Sequence, residues 1–530
     1  MSNYKQEIKE KSRIEIWNQA IRFLTVERKD SRILKSQYIR RLWDYAFDEI
    51  LKYSNVKEFY IDSWCDFSDS LYKGKSANDL KVAYFCGPEP ENDLKIMVGL
   101  GIRIENVWAI EADRKHYNSA LSVAKCSFPT LKIFHGSFSE FVKVSPLKFD
   151  VIYLDFTAPV FSRKAKPLSA IHSIFNNQSL NELGVLVVNS SLPDKNSENI
   201  KFLSGYFSEL PFVENSLFSG DCTDSDYVEG FAVQGYDFEE YENIVCNNFS
   251  GAYSAYLTHY PPFYAGYIQP MHRVSNSSIL RKMFFTTNEK LINSSLTKMS
   301  ADLGVEFMSD IYESNEEINC QGSEIYSNPD EFPFWHFINS LKDSNTKLGD
   351  YWYQQYTKKR GSLSYFDAVK RYDLLRNANY NYKEILSDHL RKSIEKIIEA
   401  LPDKHGGIFC DVPVPHLWVE LALNQLGGVY HYNTRKHWRA RYRAKKHEMF
   451  IDLFLFDKCR ALYDWIPMVD LYGEDLALIE RQIIIRSCMD AITKQSLYSI
   501  FYSYAGANLI GINTKRWSES PTLEPRNEIL

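Results

Sequence analysis

Apolar positions follow two different periodicities along the chain. Between residues 13 and 75 they recur every three to four residues, and two such stripes begin at Ile14 and at Ile39. This spacing predicts amphipathic helices that form an N-terminal helical layer. From residue 80 the pattern changes to short apolar runs separated by helical stretches: 82–86, 107–110, 131–134, 151–154 and 185–188. The starts of these runs lie 25, 24, 20 and 34 residues apart, which predicts β-α-β units in a parallel sheet.

Two further runs, 267–274 and 279–285, are joined by Ser-Asn-Ser-Ser and predict an antiparallel hairpin at the end of this sheet. Loop-like composition over 320–350 indicates a boundary, and 351–400 and 457–505 indicate helices around a mixed segment. The sequence therefore predicts an α/β protein with four regions. These are a helical region (1–78), a Rossmann-like domain (79–290, with an insertion at about 205–266), a connecting region (291–350) and an α+β C-terminal module (351–530), for which a winged helix is one option.

Composition narrows the class of protein. A chain of 530 residues is too long to fold around one hydrophobic core. Its content of 45% hydrophobic and 25% charged residues is typical of a globular protein. The net charge of −6 predicts that any surface for a nucleic acid is local. The first residues do not read as a secretory signal, and no run of about 18 apolar residues occurs. No two of the nine cysteines are spaced as C-x-x-C, so we expect a cytoplasmic protein with reduced thiols and no metal centre.

Candidate site residues follow four of the apolar runs within one to four positions. The carboxyl ends of parallel strands meet at one edge of a sheet, so we expect these residues to lie near one another. They are Gly87 and Glu89 after the first run, Glu111 after the second, Ser137 and Phe138 after the third, and Asp155 and Thr157 after the fourth.

This order of a glycine turn, an acid, a polar turn and a second acid resembles class I S-adenosylmethionine (SAM) dependent methyltransferases. Members of that family also close their parallel sheet with an antiparallel hairpin, and residues 79–290 resemble a divergent member. A single glycine followed by Pro-Glu-Pro departs from the family's glycine-rich loop, and the absence of G-x-G-x-x-G argues against a dinucleotide fold.

The resemblance implies SAM as cofactor and assigns roles to the residues after the strands. Gly87 would shape the loop at the methionine end, Glu111 would accept the ribose hydroxyls, and Ser137 and Phe138 would lie at the adenine. Glu89 or Asp93 would either meet the ligand's ammonium group or cap the following helix, and Phe138 would either stack or belong to the core. Asp155 would orient the acceptor atom, with Thr157 beside it. Asp155 also matches the first position of the family's D/N-P-P-aromatic tetrad, whose other positions are missing here.

The segment 433–447, NTRKHWRARYRAKKH, concentrates positive charge. It carries seven cations and no acid, with aromatic rings interleaved: Arg435, Lys436, Trp438, Arg439, Arg441, Tyr442, Arg443, Lys445 and Lys446. As a helix or as a strand it brings cations and rings together, as phosphate contact and base stacking require. The alternatives are a solvated face and an intramolecular partner for acidic residues.

Together these features predict a SAM-dependent methyltransferase that acts on DNA or RNA, with the C-terminal module as substrate reader. One alternative is a methyltransferase-like scaffold without catalysis that binds nucleic acid or a protein partner, which the Gly87-Pro88-Glu89-Pro90 loop favours. A second alternative is methylation of a protein or a small molecule, in which the basic segment is incidental.

Overall fold

The computed structural model describes residues 7–44, 58–207, 238–298, 333–377, 383–392, 395, 414–444, 446–464 and 525–530. Several predicted features lie outside these residues: Lys445, positions 208–237 of the insertion, most of the connecting region, and the helices predicted over 396–400 and 465–505.

Nine strands form one sheet in the described part of the chain. They are β1 (Val82–Phe85), β2 (Val107–Glu111), β3 (Lys132–His135), β4 (Phe149–Asp155), β5 (Leu180–Ser191), β6 (His431–Tyr432), β7 (Trp438–Ala444), β8 (His447–Asp457) and β9 (Asn527–Glu528). The spatial order is β3-β2-β1-β4-β5-β8-β7-β9, with β6 also paired to β8. Strands β1 to β5 are parallel, and β8 is antiparallel to both β5 and β7. This order confirms the predicted Rossmann-like α/β fold, whose sheet is parallel and ends in an antiparallel hairpin.

Helices cover both faces of the sheet. The first group is α1 (Glu7–Leu24), α2 (Ser36–Asp44), α3 (Glu58–Leu71), α4 (Glu91–Gly99), α5 (Arg114–Ser127), α6 (Phe138–Val144), α7 (Pro167–Asn176) and α8 (Ser197–Phe207). The second group is α9 (Phe238–Asn247), α10 (Phe249–Phe263), α11 (Gln269–Asn276), α12 (Ser278–Phe284), α13 (Pro333–Asp343), α14 (Lys347–Thr357), α15 (Tyr365–Asn377), α16 (Val414–Gly427) and α17 (Arg460–Tyr463). Helices α1 to α3 confirm the predicted helical layer. No described helix is both long and apolar enough to span a membrane.

The location predicted for the hairpin is wrong, because residues 269–276 and 278–284 form α11 and α12. Within the first run, Ile268, Met271 and Val274 are buried at a spacing of three residues, as on one face of a helix. Pro270 fits the first turn of α11 but has no N–H for a central strand. Ser277 ends one helix and caps the next through the Leu280 N–H. The hairpin is formed instead by β7 and β8, which contain most of the basic segment.

Alternating side chains of the strands build two cores. In β4, Val151 and Tyr153 face the layer of α1, α4 and α5, whereas Ile152 and Leu154 face the layer of α6, α7 and α10. Both faces of the sheet are therefore buried, which explains why its strands read as continuous apolar runs. Trp17 of α1 is fully buried and packs edge-on against Tyr153, with ring centroids 5.6 Å apart.

The described part of the aromatic insertion includes the buried helix α10. Its tyrosines recur every three to four residues and continue into a π-helical turn at Tyr264–Ile268, after Pro261 and Pro262. Prolines remove backbone N–H donors, so a local change in helix geometry is expected there. The Tyr264 ring stacks on His172 of α7 at 3.9 Å, which joins this helix to the layer beneath the sheet.

Candidate functional site

The strand order places the carboxyl ends of β1 and β4 at the topological switch point, the crevice where open α/β sheets bind ligands. Gly87 follows β1 with a φ of +58°, a conformation that favours glycine. A Cβ built at this position meets nothing within 4 Å, so the turn faces open space. The loop therefore leaves room for a ligand beside the backbone.

Glu111 lies at the end of β2 and is partly exposed. One carboxylate oxygen accepts the Asp113 N–H at 2.7 Å. Asp113 itself caps α5 by accepting the N–H groups of Lys115 and His116 at 2.9 and 3.0 Å. The cap of α5 is thus a carboxylate other than Glu111. The Cys86 N–H donates to the Ile110 carbonyl at 3.3 Å, which places Glu111 close to the end of β1. Burial and the neighbouring Glu111 carboxylate raise the pKa of the Cys86 thiol to about 12.

Glu89 and Asp93, the two acids proposed to meet the ligand's ammonium group or to cap the helix, differ in environment. Glu89 accepts a hydrogen bond from the Asn92 side chain at 3.1 Å. Asp93 is buried, accepts the Trp17 indole N–H at 2.9 Å and forms an ion pair of 3.2 Å with Arg13. Asp93 is therefore an anchor for α1 rather than a helix cap.

The turn after β3 has strong structural contacts. Ser137 forms a capping box with Glu140, in which each side chain accepts the other residue's backbone N–H. Phe138 is buried, and its ring lies 6.0 Å from Phe85 in an edge-on arrangement. Of the two interpretations open for Phe138, the structure places it in the core, whereas Ser137 remains exposed.

Asp155 ends β4 and is linked to β5 and β7 by side-chain hydrogen bonds. The Asn189 side-chain NH₂ donates to Asp155 at 2.6 Å and to the Tyr442 hydroxyl at 2.9 Å. Asn189 is 1% exposed, and its carbonyl oxygen has no partner among the described residues. Thr157 is exposed, and its backbone carbonyl accepts the Ser191 hydroxyl at 3.2 Å. At the end of β4, Asn189 therefore holds the Asp155 carboxylate in place. The Asn189 side-chain oxygen beside it accepts no hydrogen bond from the described residues.

Arg13 completes this polar cluster and was not found from the sequence. Burial alone would lower the pKa of its guanidinium, but Asp93 and then Asp155 raise it above the ordinary value. The Arg13 guanidinium is thus paired with Asp93 and is also influenced by the Asp155 carboxylate. Arg13 is about 140 residues before Asp155, on the first helix of the predicted N-terminal layer, so no local pattern could identify it.

The basic segment is divided between a short turn and the strand β7. Tyr442 is 5% exposed and Arg439 is 6% exposed, whereas Arg441 and Arg443 are exposed. Of the two conformations considered for the segment, 438–444 adopts the strand.

Two cations of this segment have acidic partners from distant parts of the chain. Lys436 pairs with Glu27 at 2.8 Å, and the Arg441 Nε donates to Glu528 at 3.0 Å. These contacts match the intramolecular alternative for those two side chains. Arg435, Arg443 and Lys446 are exposed on the surface.

The sheet order and the polar edge define a Rossmann-like α/β protein. No protein-family model matches the sequence, and no curated protein matches it. Among solved structures, an S-adenosylmethionine-dependent methyltransferase from Clostridium acetobutylicum ATCC 824 is similar over 28% of this chain and 56% of that chain, with 14% identity and a TM-score of 0.18. The chain thus spans about half of that protein's length, and a match at this level carries no information about activity.

Proposed function

We propose that the chain is a SAM-dependent methyltransferase that acts on nucleic acid. The observation that carries this proposal is the placement of two carboxylates around one open glycine turn. Because β2 and β4 flank β1 in the sheet, Glu111 and Asp155 lie on either side of the Gly87 loop. A parallel sheet closed by an antiparallel hairpin beside β5 is also the arrangement of the family that the sequence resembles.

The residues present fit SAM at three points. The Gly87 turn is open, so the backbone leaves space for the ligand. The Glu111 carboxylate is partly exposed and can accept two vicinal hydroxyl groups. Asp93 and Asp155 outnumber Arg13 in the cluster, so the local charge favours a cationic ligand such as a sulfonium.

SAM supplies an activated methyl group when it is bound, and the protein has to align the acceptor with it. In this proposal Glu111 holds the ribose and Gly87 shapes the loop. Asp155 accepts a hydrogen bond from the acceptor amine or hydroxyl and directs its lone pair. Asn189 positions Asp155 through its amide group. The exposed cations Arg435, Arg443 and Lys446 support a polyanionic substrate.

Calorimetric titration with SAM tests the proposal. Wild-type protein should bind, and Glu111→Ala should weaken binding by about 1.5–3 kcal/mol, the range for a hydrogen bond to a charged group. Glu105→Ala is the matched control, because this exposed acid lies just before the opposite end of the same strand. If the wild type does not bind SAM at concentrations up to millimolar, the methyltransferase proposal is refuted, and the alternative of a scaffold without catalysis is left.

A scaffold without catalysis is the second candidate. It is favoured by the structural contacts that already occupy Ser137 and Phe138, the two residues expected at the adenine. The same titration separates the candidates, because a scaffold has no reason to bind SAM in a manner that depends on Glu111.

A further inference from the structure

A polar groove of about 790 Å³ lies along α7 on the face of the molecule opposite α1. Helices α6, α7 and α11 form its walls together with the end of α14 and the turn that follows it. Its lining, all within the described residues, includes five cations and no carboxylate: Lys143, Lys166, Arg273, Lys358 and Arg360. In a chain with a net charge of −6, such a concentration of unopposed positive charge favours an anionic ligand.

The floor of the groove carries polar atoms that lack partners. Gln269 is 1% exposed, and its side-chain oxygen makes no hydrogen bond within the described part of the chain. The same holds for the buried Nε2 of His272. Buried polar groups are normally paired, so these two atoms indicate room for a hydrogen-bonding ligand or for water.

The turn that carries Arg360 is held in place. The Asn276 side-chain oxygen accepts the backbone N–H groups of Ser362 and Leu363 at 2.8 and 3.0 Å. The Arg360 guanidinium lies over the Tyr365 ring, 5.3 Å from its centroid, and also donates to Gln355 at 3.0 Å. A fixed cation next to a half-buried tyrosine, Tyr351, offers both a phosphate contact and a ring on which a base can stack.

One short segment connects the groove to the carboxyl end of β4, where the candidate site lies. Asp155 ends β4, and the chain then runs through the exposed residues Arg163, Lys164 and Lys166 into α7. Lys166 lines the groove, so positive charge extends from its rim toward the switch point. A bound chain that followed this charge would lead toward Asp155.

We propose that this groove binds the sugar-phosphate backbone of a single-stranded nucleic acid and guides it to the edge of the sheet. The identification of the ligand as nucleic acid rests on the proposed function. A volume of about 790 Å³ is that of a cleft for a small molecule or a single chain, and a duplex does not enter it. Lys143, Lys166 and Lys358 are exposed at the rim and contact successive phosphates.

Fluorescence anisotropy of the full chain with a labelled 20-nucleotide single strand tests the groove over a range of salt concentrations. The variant Lys143→Gln, Lys166→Gln, Lys358→Gln should bind more weakly. It should also flatten the slope of log affinity against log salt by about two, at roughly 0.7 per phosphate lost. The matched control is Lys29→Gln, Lys95→Gln, Lys125→Gln, which removes the same charge from exposed positions on the opposite layer and should retain the wild-type slope.

Three outcomes would overturn the proposal: no binding by the wild type, equal loss in both triple variants, or a mononucleotide that competes as well as the strand. The SAM titration is independent of the groove. Strand binding that depends on the groove lysines, without SAM binding, would refute the proposed function and keep this inference. SAM binding that depends on Glu111, without strand binding, would refute this inference and leave the proposed methyltransferase with a substrate other than a single strand.

Discussion

Tyr442 decides whether the aromatic residues of the basic segment read a nucleic acid or hold the sheet together. Its side chain is 5% exposed and packs with β5, β8 and α1 in the core on the α1 side of the sheet. Its hydroxyl accepts one N–H of Asn189, whose amide also donates to Asp155. We therefore expect substitutions at Tyr442 to change stability first and substrate binding only indirectly.

The size of the effect follows from these contacts. Tyr442→Ala removes a buried ring, and truncation of a large aromatic side chain in a core costs about 3–5 kcal/mol. Tyr442→Phe keeps the ring but leaves one buried N–H of Asn189 without an acceptor, which costs about 1–3 kcal/mol. A stacking residue would give a different pattern: Tyr442→Phe would bind substrate as well as the wild type, because Phe stacks as well as Tyr, and neither change would lower stability.

Urea unfolding monitored by tryptophan fluorescence measures both variants against the wild type. Arg443→Gln is the control, since Arg443 is the exposed neighbour on the same strand and should change the free energy of unfolding by less than about 0.5 kcal/mol. An unchanged unfolding midpoint for Tyr442→Ala, combined with a loss of single-strand binding, would show that the ring faces substrate and refute the packing argument.

Two further predictions concern the carboxylates of Asp155 and Asp452. Asp155→Asn should retain SAM affinity in calorimetry but lose transfer of labelled methyl to nucleic acid, and full activity would move the chemistry to Thr157. Arg526→Gln should lower the free energy of unfolding by about 3–5 kcal/mol at neutral pH, because Arg526 pairs with buried Asp452 at 2.8 Å. Burial alone would raise the pKa of Asp452, but Arg526 and then His437 hold it below the ordinary value. The variant's deficit should therefore shrink as pH falls below about 4, and a deficit independent of pH would contradict this.

The sequence predicted the parallel half of the sheet well and the hairpin poorly, for a physical reason. Strands β1 to β5 are buried on both faces and stand out as apolar runs between helices. The sequence was therefore sufficient to predict these strands. The β7 strand alternates buried Ala440 and Tyr442 with the exposed Arg441 and Arg443. The charged residues of β7 suggested a surface segment, although its apolar and charged positions alternate as they do in a strand.

The candidate site shows the same division. Glu111 and Asp155 end their strands and Gly87 lies two residues after β1, and strand order alone brings such positions to one edge. Arg13 and Tyr442 reach that edge from segments far away in the chain, and only tertiary packing places them there. The groove lysines are equally scattered, so the sequence drew attention to the dense segment 433–447 rather than to the groove.

The sheet itself restricts how this chain can be divided. Strand β8 pairs with β5 along nine consecutive residues, from Leu183 to Ser191. A fragment of residues 79–290 would therefore leave a long, apolar strand edge unpaired, and such edges associate with other chains. We expect this fragment to aggregate, as measured by size-exclusion chromatography. Adding residues 414–464 as a second chain should supply β8 and give a discrete complex of the two chains. A monomeric, cooperatively unfolding 79–290 fragment would show that β5 tolerates an open edge and that the hairpin is an addition to the sheet rather than part of its core.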